Sequence, residues 1–155
     1  MTLVEGANSF TAVAVDQAGN SSTASAGFAV TLDTVAPNLV ITDPRNGVAY
    51  KNGGQGADSW SNTCAGTPGA CGTASDSGSG VTSVALTLRN TATNTCWTGA
   101  GTTYAACGSP LGLTGTTTWS LPIIYNVVKS SSLQLTLIGT DLAGNVATST
   151  VSFTA

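Results

Sequence analysis

Four cysteines, seven acids, four bases and no histidine set the chemistry open to this chain. The cysteines form two close pairs, Cys64 with Cys71 and Cys96 with Cys107. Each pair lies in a Gly/Thr/Ala/Ser-rich loop with turn residues such as Pro68-Gly69 and Gly99-Ala100-Gly101. Four cysteines permit three pairings, and the local one, Cys64 to Cys71 with Cys96 to Cys107, needs no assumption about tertiary structure. Closing loops this short stabilises a fold by about 2 to 3 kcal/mol each on the chain-entropy model. The competing arrangement is a metal held by all four thiolates, but zinc sites bring their ligands in tight C-x2-4-C knuckles and these spacings are wider. Disulfides imply an oxidising compartment, hence a secreted or cell-surface (extracellular) protein.

The missing histidine removes the imidazole general base, the Ser-His-Asp and Cys-His nucleophile pairs and the imidazole metal ligand together. The chain reads as non-enzymatic. Arg45, Lys51, Arg89 and Lys129 stand singly in a chain of formal net charge -3. They make no basic face to displace counterions from phosphates, so no nucleic acid partner is expected. No run approaches the roughly 20 apolar residues of a membrane span, so no membrane span is expected. The N-terminus has neither a basic n-region nor a continuous apolar h-region, so any export signal is expected to lie outside this stretch.

The elements that position these side chains follow from an unusual composition. Only 7% of the 155 residues are charged, against roughly 25% in an ordinary soluble domain. Yet 41% are hydrophobic and mean hydropathy is +0.23, because Gly, Ala, Ser and Thr stand in for charge. Low net charge with alternating Val, Leu and Ile disfavours disorder and favours strands.

The sequence repeats itself at an offset of 125 residues. Phe10 to Val15 followed by Asp16-Gln17-Ala18-Gly19-Asn20 recurs as Leu135 to Thr140 followed by Asp141-Leu142-Ala143-Gly144-Asn145. Thr11 falls on Thr136, Thr23 on Thr148 and Phe28 on Phe153, so the match spans strand, turn and strand. Each copy reads as a β-hairpin of a tandem-repeat protein. Leu133, Leu135 and Leu137 alternate with polar residues, as do Val151 and Phe153 on the return. In the turn, Gly144 tolerates positive φ and Asp141 accepts hydrogen bonds from the amides ahead of it.

Between the copies, Asp33-Thr34-Val35-Ala36-Pro37 reads as a short stiff linker, residues 33–37, because the proline also holds Ala36 extended. Strands are expected at about Asn38 to Thr42, Gly72 to Ser75, Val81 to Arg89, Cys96 to Trp97, Thr117 to Leu121, Leu133 to Thr140 and Val146 to Thr154. About seven short strands with Gly-rich turns and no helical period predict an all-β, antiparallel sandwich.

With Asp33-Thr34-Val35-Ala36-Pro37, Gly72-Thr73-Ala74-Ser75-Asp76-Ser77-Gly78-Ser79-Gly80-Val81 and Asp141-Leu142-Ala143-Gly144-Asn145, the chain resembles bacterial Ig-like repeat domains. Such domains form tandem arrays in secreted and cell-surface proteins, adhesins among them. The resemblance implies one complete Greek-key repeat over residues 38–155 and, over residues 1–32, an extra hairpin made of the last two strands of a preceding repeat. Leu3-Val4-Glu5-Gly6-Ala7-Asn8 looks like the turn into the penultimate strand. An insertion around Asn52 to Ala70 departs from the family pattern, and neither cysteine pair lies on the strands joined by the antibody-type intersheet disulfide.

Ig-like topology would gather Asp33, Asp76 and Asp141 at one end, where they either cap their own turns or ligate a structural calcium, which takes six to eight oxygens. Lys51 and Lys129 raise an isopeptide crosslink, which needs a buried acid beside the pair. Trp60, Trp97, Tyr104 and Trp119 either stack on a surface glycan or pack internally, Trp119 in the core and Trp97 on its disulfide. Phe28, Val30 and Leu32 would leave the hairpin an apolar face, covered by an adjacent repeat or by strand addition to a copy of itself. The leading expectation is a spacer or adhesive stalk whose partners are adjacent Ig-like repeats, with a surface glycan or protein receptor. The alternatives are a self-assembling filament subunit and a carbohydrate-binding module.

Overall fold

A computed structural model describes residues 2–53, 56–129 and 131–155. The chain divides into two compact units, Met1–Val35 and Ala36–Ala155, with the boundary inside the stretch expected to be the linker. Of the insertion over 52–70, residues 54 and 55 lie outside the described residues.

In the first unit, β1 (Gly6–Phe10) pairs antiparallel with β2 (Phe28–Leu32), Gly6 opposite Leu32 and Phe10 opposite Phe28. The strand therefore starts earlier than the sequence suggested, taking in Gly6, Ala7 and Asn8. What closes upstream is a ring made by Asn8, whose Oδ1 accepts from Val4 N–H at 3.0 Å and whose Nδ2 donates to Val4 O at 2.8 Å.

Beyond Phe10 the ribbon continues through serine hydroxyls. Ser22 and Ser25 donate their amides to Ala14 and Ala12, and their Oγ atoms accept the Ala14 and Ala12 amides at 3.0 Å. Near the turn Val15 bridges Ser21. From there to Phe10 opposite Phe28 the outgoing side advances five residues and the return side seven. An even excess leaves each side chain on its own face.

The second unit holds two antiparallel sheets. One has the order β3 (Asn38–Asp43), β4 (Gly69–Ser75), β9 (Thr118–Pro122). The other runs β11 (Val146–Thr154), β10 (Ser132–Asp141), β5 (Val81–Asn90), β6 (Thr95–Trp97), β7 (Tyr104–Ala105), with β8 (Leu111–Gly112) also on β5. All seven expected strands form. The sequence did not reveal β7, β8, a 3₁₀ segment at Trp60–Gly66 and the single helical turn α1 (Tyr125–Val128), each too short to show a period.

The register explains the core. Leu135 sits opposite Leu88 and Leu137 opposite Leu86, all on one face and fully buried. Each such side chain contributes about 1.5 to 3 kcal/mol. From the smaller sheet, Ala70, Ala74 and Trp119 join the same cluster. The sheets approach closely where side chains are small: a Cβ at Gly139 would meet Leu39 Cδ2 at 2.6 Å. Trp119 is core, as expected.

Candidate functional site

The two copies of Asp-x-Ala-Gly-Asn fold alike. In the first, Asp16 N–H donates to Asn20 O at 2.9 Å and Gly19 N–H to Asp16 O at 3.1 Å. The Asp16 carboxylate receives Asn20 N–H on Oδ1 and Asn20 Nδ2 on Oδ2, both at 2.8 Å. In the second, Asp141 N–H donates to Asn145 O at 3.1 Å and Gly144 N–H to Asp141 O at 3.3 Å. Asp141 Oδ1 and Oδ2 take Asn145 N–H and Nδ2, again both at 2.8 Å. Gly19 and Gly144 stand at φ +89° and +92°, a conformation that a Cβ disfavours. These donors hold the exposed Asp16 carboxyl below its ordinary value, with the Asn20 side chain as the largest cause.

In the second unit the turn is fastened to the loop after β4. Leu142 N–H donates to Gly80 O at 2.9 Å and Ala143 N–H to Ser79 Oγ at 3.0 Å. That brings Asp76 to Asp141, with a carboxylate oxygen of one within 4.8 Å of the other. Asp76 Oδ1 accepts Gly78 N–H at 3.0 Å and Gly80 N–H at 2.8 Å, while its Oδ2 is buried with no hydrogen-bond partner among the described residues. Asp141 is 2% exposed. Two anionic groups this close repel, and an oxygen-seeking cation is the chemistry that relieves it. The orphaned Asp76 Oδ2 and the spare lone pairs of Asp141 fit such an ion. Asp33 belongs to the first unit, where its Oδ1 accepts the Val35 amide at 3.2 Å.

The cysteines pair locally, Cys64 with Cys71 (Cα to Cα 5.7 Å) and Cys96 with Cys107 (4.8 Å), which removes the four-thiolate metal site. Cys64 and Ala65 adopt φ +48° and +59°, a conformation costing about 1 to 2 kcal/mol per residue with a Cβ. Asp43 helps hold it, its Oδ2 accepting Cys64 N–H at 3.3 Å.

Trp60 and Trp97 are buried and Tyr104 half-buried. Trp60 is 1% exposed and stacks on Phe153 in the core, with Nε1 donating to Ile123 O at 2.7 Å. Trp97 stands opposite Tyr104 in the β6–β7 pair, but it is 8% exposed and its Nε1 is spent on Gly101 O at 3.1 Å. Tyr104 is half-buried, its hydroxyl donating to Val127 O at 3.1 Å, and desolvation pushes its pKa up to about 12. Of the three residues expected to stack on a glycan, Trp60 and Trp97 are thus buried, and their indole donors and the Tyr104 hydroxyl are spent on backbone carbonyls. Lys51 and Lys129 are both exposed and lack the buried setting an isopeptide bond requires.

Missed at the sequence level were Tyr50 and Asp43. Tyr50 OH accepts Arg45 N–H at 2.8 Å and donates to Asp43 Oδ1 at 3.3 Å, organising the start of the insertion. Comparison with protein-family models, curated proteins and solved structures finds no match to this chain.

Proposed function

We propose that this chain is a non-catalytic Ig-like repeat module of a bacterial surface or secreted protein, a structural spacer or stalk contributing to adhesion. The observation that carries this reading is the duplicated Asp-x-Ala-Gly-Asn turn. The same backbone and carboxylate hydrogen bonds recur in both units at an offset of 125 residues. Repetition of a supersecondary unit within one chain is the mark of array architectures.

Strand order fits the same reading. The first two strands of the unit share a sheet with β9, while in the other sheet β10 lies between β11 and β5. That exchange is what a Greek-key β-sandwich of Ig-like type requires. Two local disulfides suit an oxidising, extracellular setting. In this reading Asp76 and Asp141 hold a structural calcium, which would stiffen their two loops by tying both carboxylates to one ion.

A second reading, a filament subunit joined by N-terminal strand addition, is favoured by one observation. Phe28 is 68% exposed on the first unit's β-ribbon. Size-exclusion chromatography with light scattering separates the two readings. A monomer at every concentration fits the spacer, whereas concentration-dependent oligomers lost in Phe28→Ser would replace it with the filament. For calcium, a thermal melt with and without EGTA should shift for the wild type and not for Asp141→Ala; an equal response in both removes the ion.

A further inference from the structure

Two Asn-Gly dipeptides lie close together, Asn46-Gly47 and Asn52-Gly53, and the fold treats them differently. Asparagine before glycine is chemically labile because no side chain shields the glycine amide and the glycine backbone reaches the geometry that attack requires.

At Asn46-Gly47 both reacting groups are held by β11. Asn46 Oδ1 accepts the Ser152 amide at 2.9 Å, and Gly47 N–H donates to Ser152 O at 2.7 Å. Turning the Gly47 nitrogen onto the Asn46 carboxamide would break both bonds, next to Phe153 in the core. At Asn52-Gly53 the asparagine is exposed. Among the described residues neither its carboxamide nor the Gly53 amide makes a hydrogen bond. The fold pins only what surrounds them: Lys51 N–H donates to Asp58 O and Trp60 N–H to Lys51 O, each at 3.0 Å, while Gly53 O accepts Ser59 Oγ at 3.0 Å.

We propose that Asn52 is a site of spontaneous deamidation and that β11 shields Asn46 from the same reaction. The Gly53 nitrogen loses its proton to solvent base and attacks Asn52 Cγ. The new C–N bond closes a succinimide, and the side-chain nitrogen leaves as ammonia. Water then opens the ring at either carbonyl, giving aspartate or isoaspartate with no change of oxidation state. The product makes the net charge one unit more negative than -3. It places that charge beside Lys51, at the base of the loop that carries Trp60 into the core.

Trypsin, cutting after Arg45, Lys51 and Arg89, separates the two sites into peptides 46–51 and 52–89. After incubation of the intact, disulfide-bonded chain at mildly alkaline pH, peptide 52–89 should gain one mass unit. Fragmentation should localise it to residue 52, as two chromatographic products. Peptide 46–51 should react several-fold more slowly, and Asn52→Gln should remove the product. In denaturant the two sites should converge in rate. No gain at residue 52, or equal rates in the folded chain, overturns the proposal. A gap that persists in denaturant overturns the shielding by β11.

Discussion

Trp60 stacks on Phe153 with ring centroids 5.6 Å apart and planes 12° from parallel, and Tyr50 meets both rings edge-on at 5.3 and 5.9 Å. Trp60 comes from the insertion and Phe153 from the last strand, so the insertion is a plug seated in the core. Such aromatic pairs contribute about 0.5 to 1.5 kcal/mol beyond the area they bury.

Trp60→Ala should therefore destabilise the second unit by about 3 to 5 kcal/mol, measured by chemical denaturation. Trp60→Phe should cost less but leave Ile123 O without its donor, about 1 to 3 kcal/mol. If Trp60→Ala unfolds at the wild-type denaturant concentration, the insertion is not part of the core.

The glycines separate two mechanisms. A Cβ at Gly72 would lie 1.9 Å from Val40 O and 2.7 Å from Trp119 Cζ2, in the middle of a three-stranded sheet. Gly72→Ala should cost at least the roughly 1 to 3 kcal/mol of an overpacked core. Gly144 has nothing within 4 Å of its Cβ position but stands at φ +92°, so Gly144→Ala should cost about 1 to 2 kcal/mol through the backbone alone. Gly108, open and without positive φ, should tolerate alanine. Equal melting shifts at all three positions would refute this division.

Much of this was legible in the sequence. Leu133, Leu135 and Leu137 announced β10 because one face of the strand is buried in the core, with Ala74 and Trp119 of the other sheet in the same cluster, which leaves the alternation clean. The cysteine pairs were legible because loop closure is local. Trp60 was not, since its segment carries no period and its burial depends on Phe153, distant in the sequence. Nor was the pairing of Phe10. The 125-residue offset equates it with Leu135, which faces Val151, and so would set Phe10 opposite Ala26. The serine hydroxyls of the ribbon instead let the return strand advance to Phe28. For the candidate site, the residue types marked the turns and the resemblance led to the expectation that Asp76 and Asp141 would gather, but only the fold shows the bonds to Ser79 and Gly80 that fasten the second turn there.

The first turn should report its own hydrogen bonds through pH. The Asp16 carboxyl lies below its ordinary value of 3.8 because the charged form accepts the Asn20 donors. Its contribution to the turn is thus present above the unfolded value and lost as pH falls through the depressed folded value. A carboxyl NMR titration should place Asp16 below the ordinary value, and Asn20→Ala should move it back up. An unchanged midpoint in Asn20→Ala would mean that the side-chain amide is not the cause.

The second unit should weaken in strong alkali because of Tyr104. Burial holds its phenol protonated to about pH 12, while in the unfolded chain it ionises near its ordinary 10.0. Between those values the unfolded state has lost a proton that the folded state retains, so unfolding releases a proton and stability falls as pH rises. Of the three tyrosines, Tyr50 is also raised, its hydroxyl desolvated beside Asp43. A rapid ultraviolet titration should therefore show a phenolate step near pH 12 that disappears in Tyr104→Phe. That variant leaves Val127 O without its donor and lowers stability at neutral pH, but its stability should fall less steeply between pH 10 and 12. If the wild type and Tyr104→Phe lose stability in parallel over that window, the alkaline sensitivity lies elsewhere in the fold.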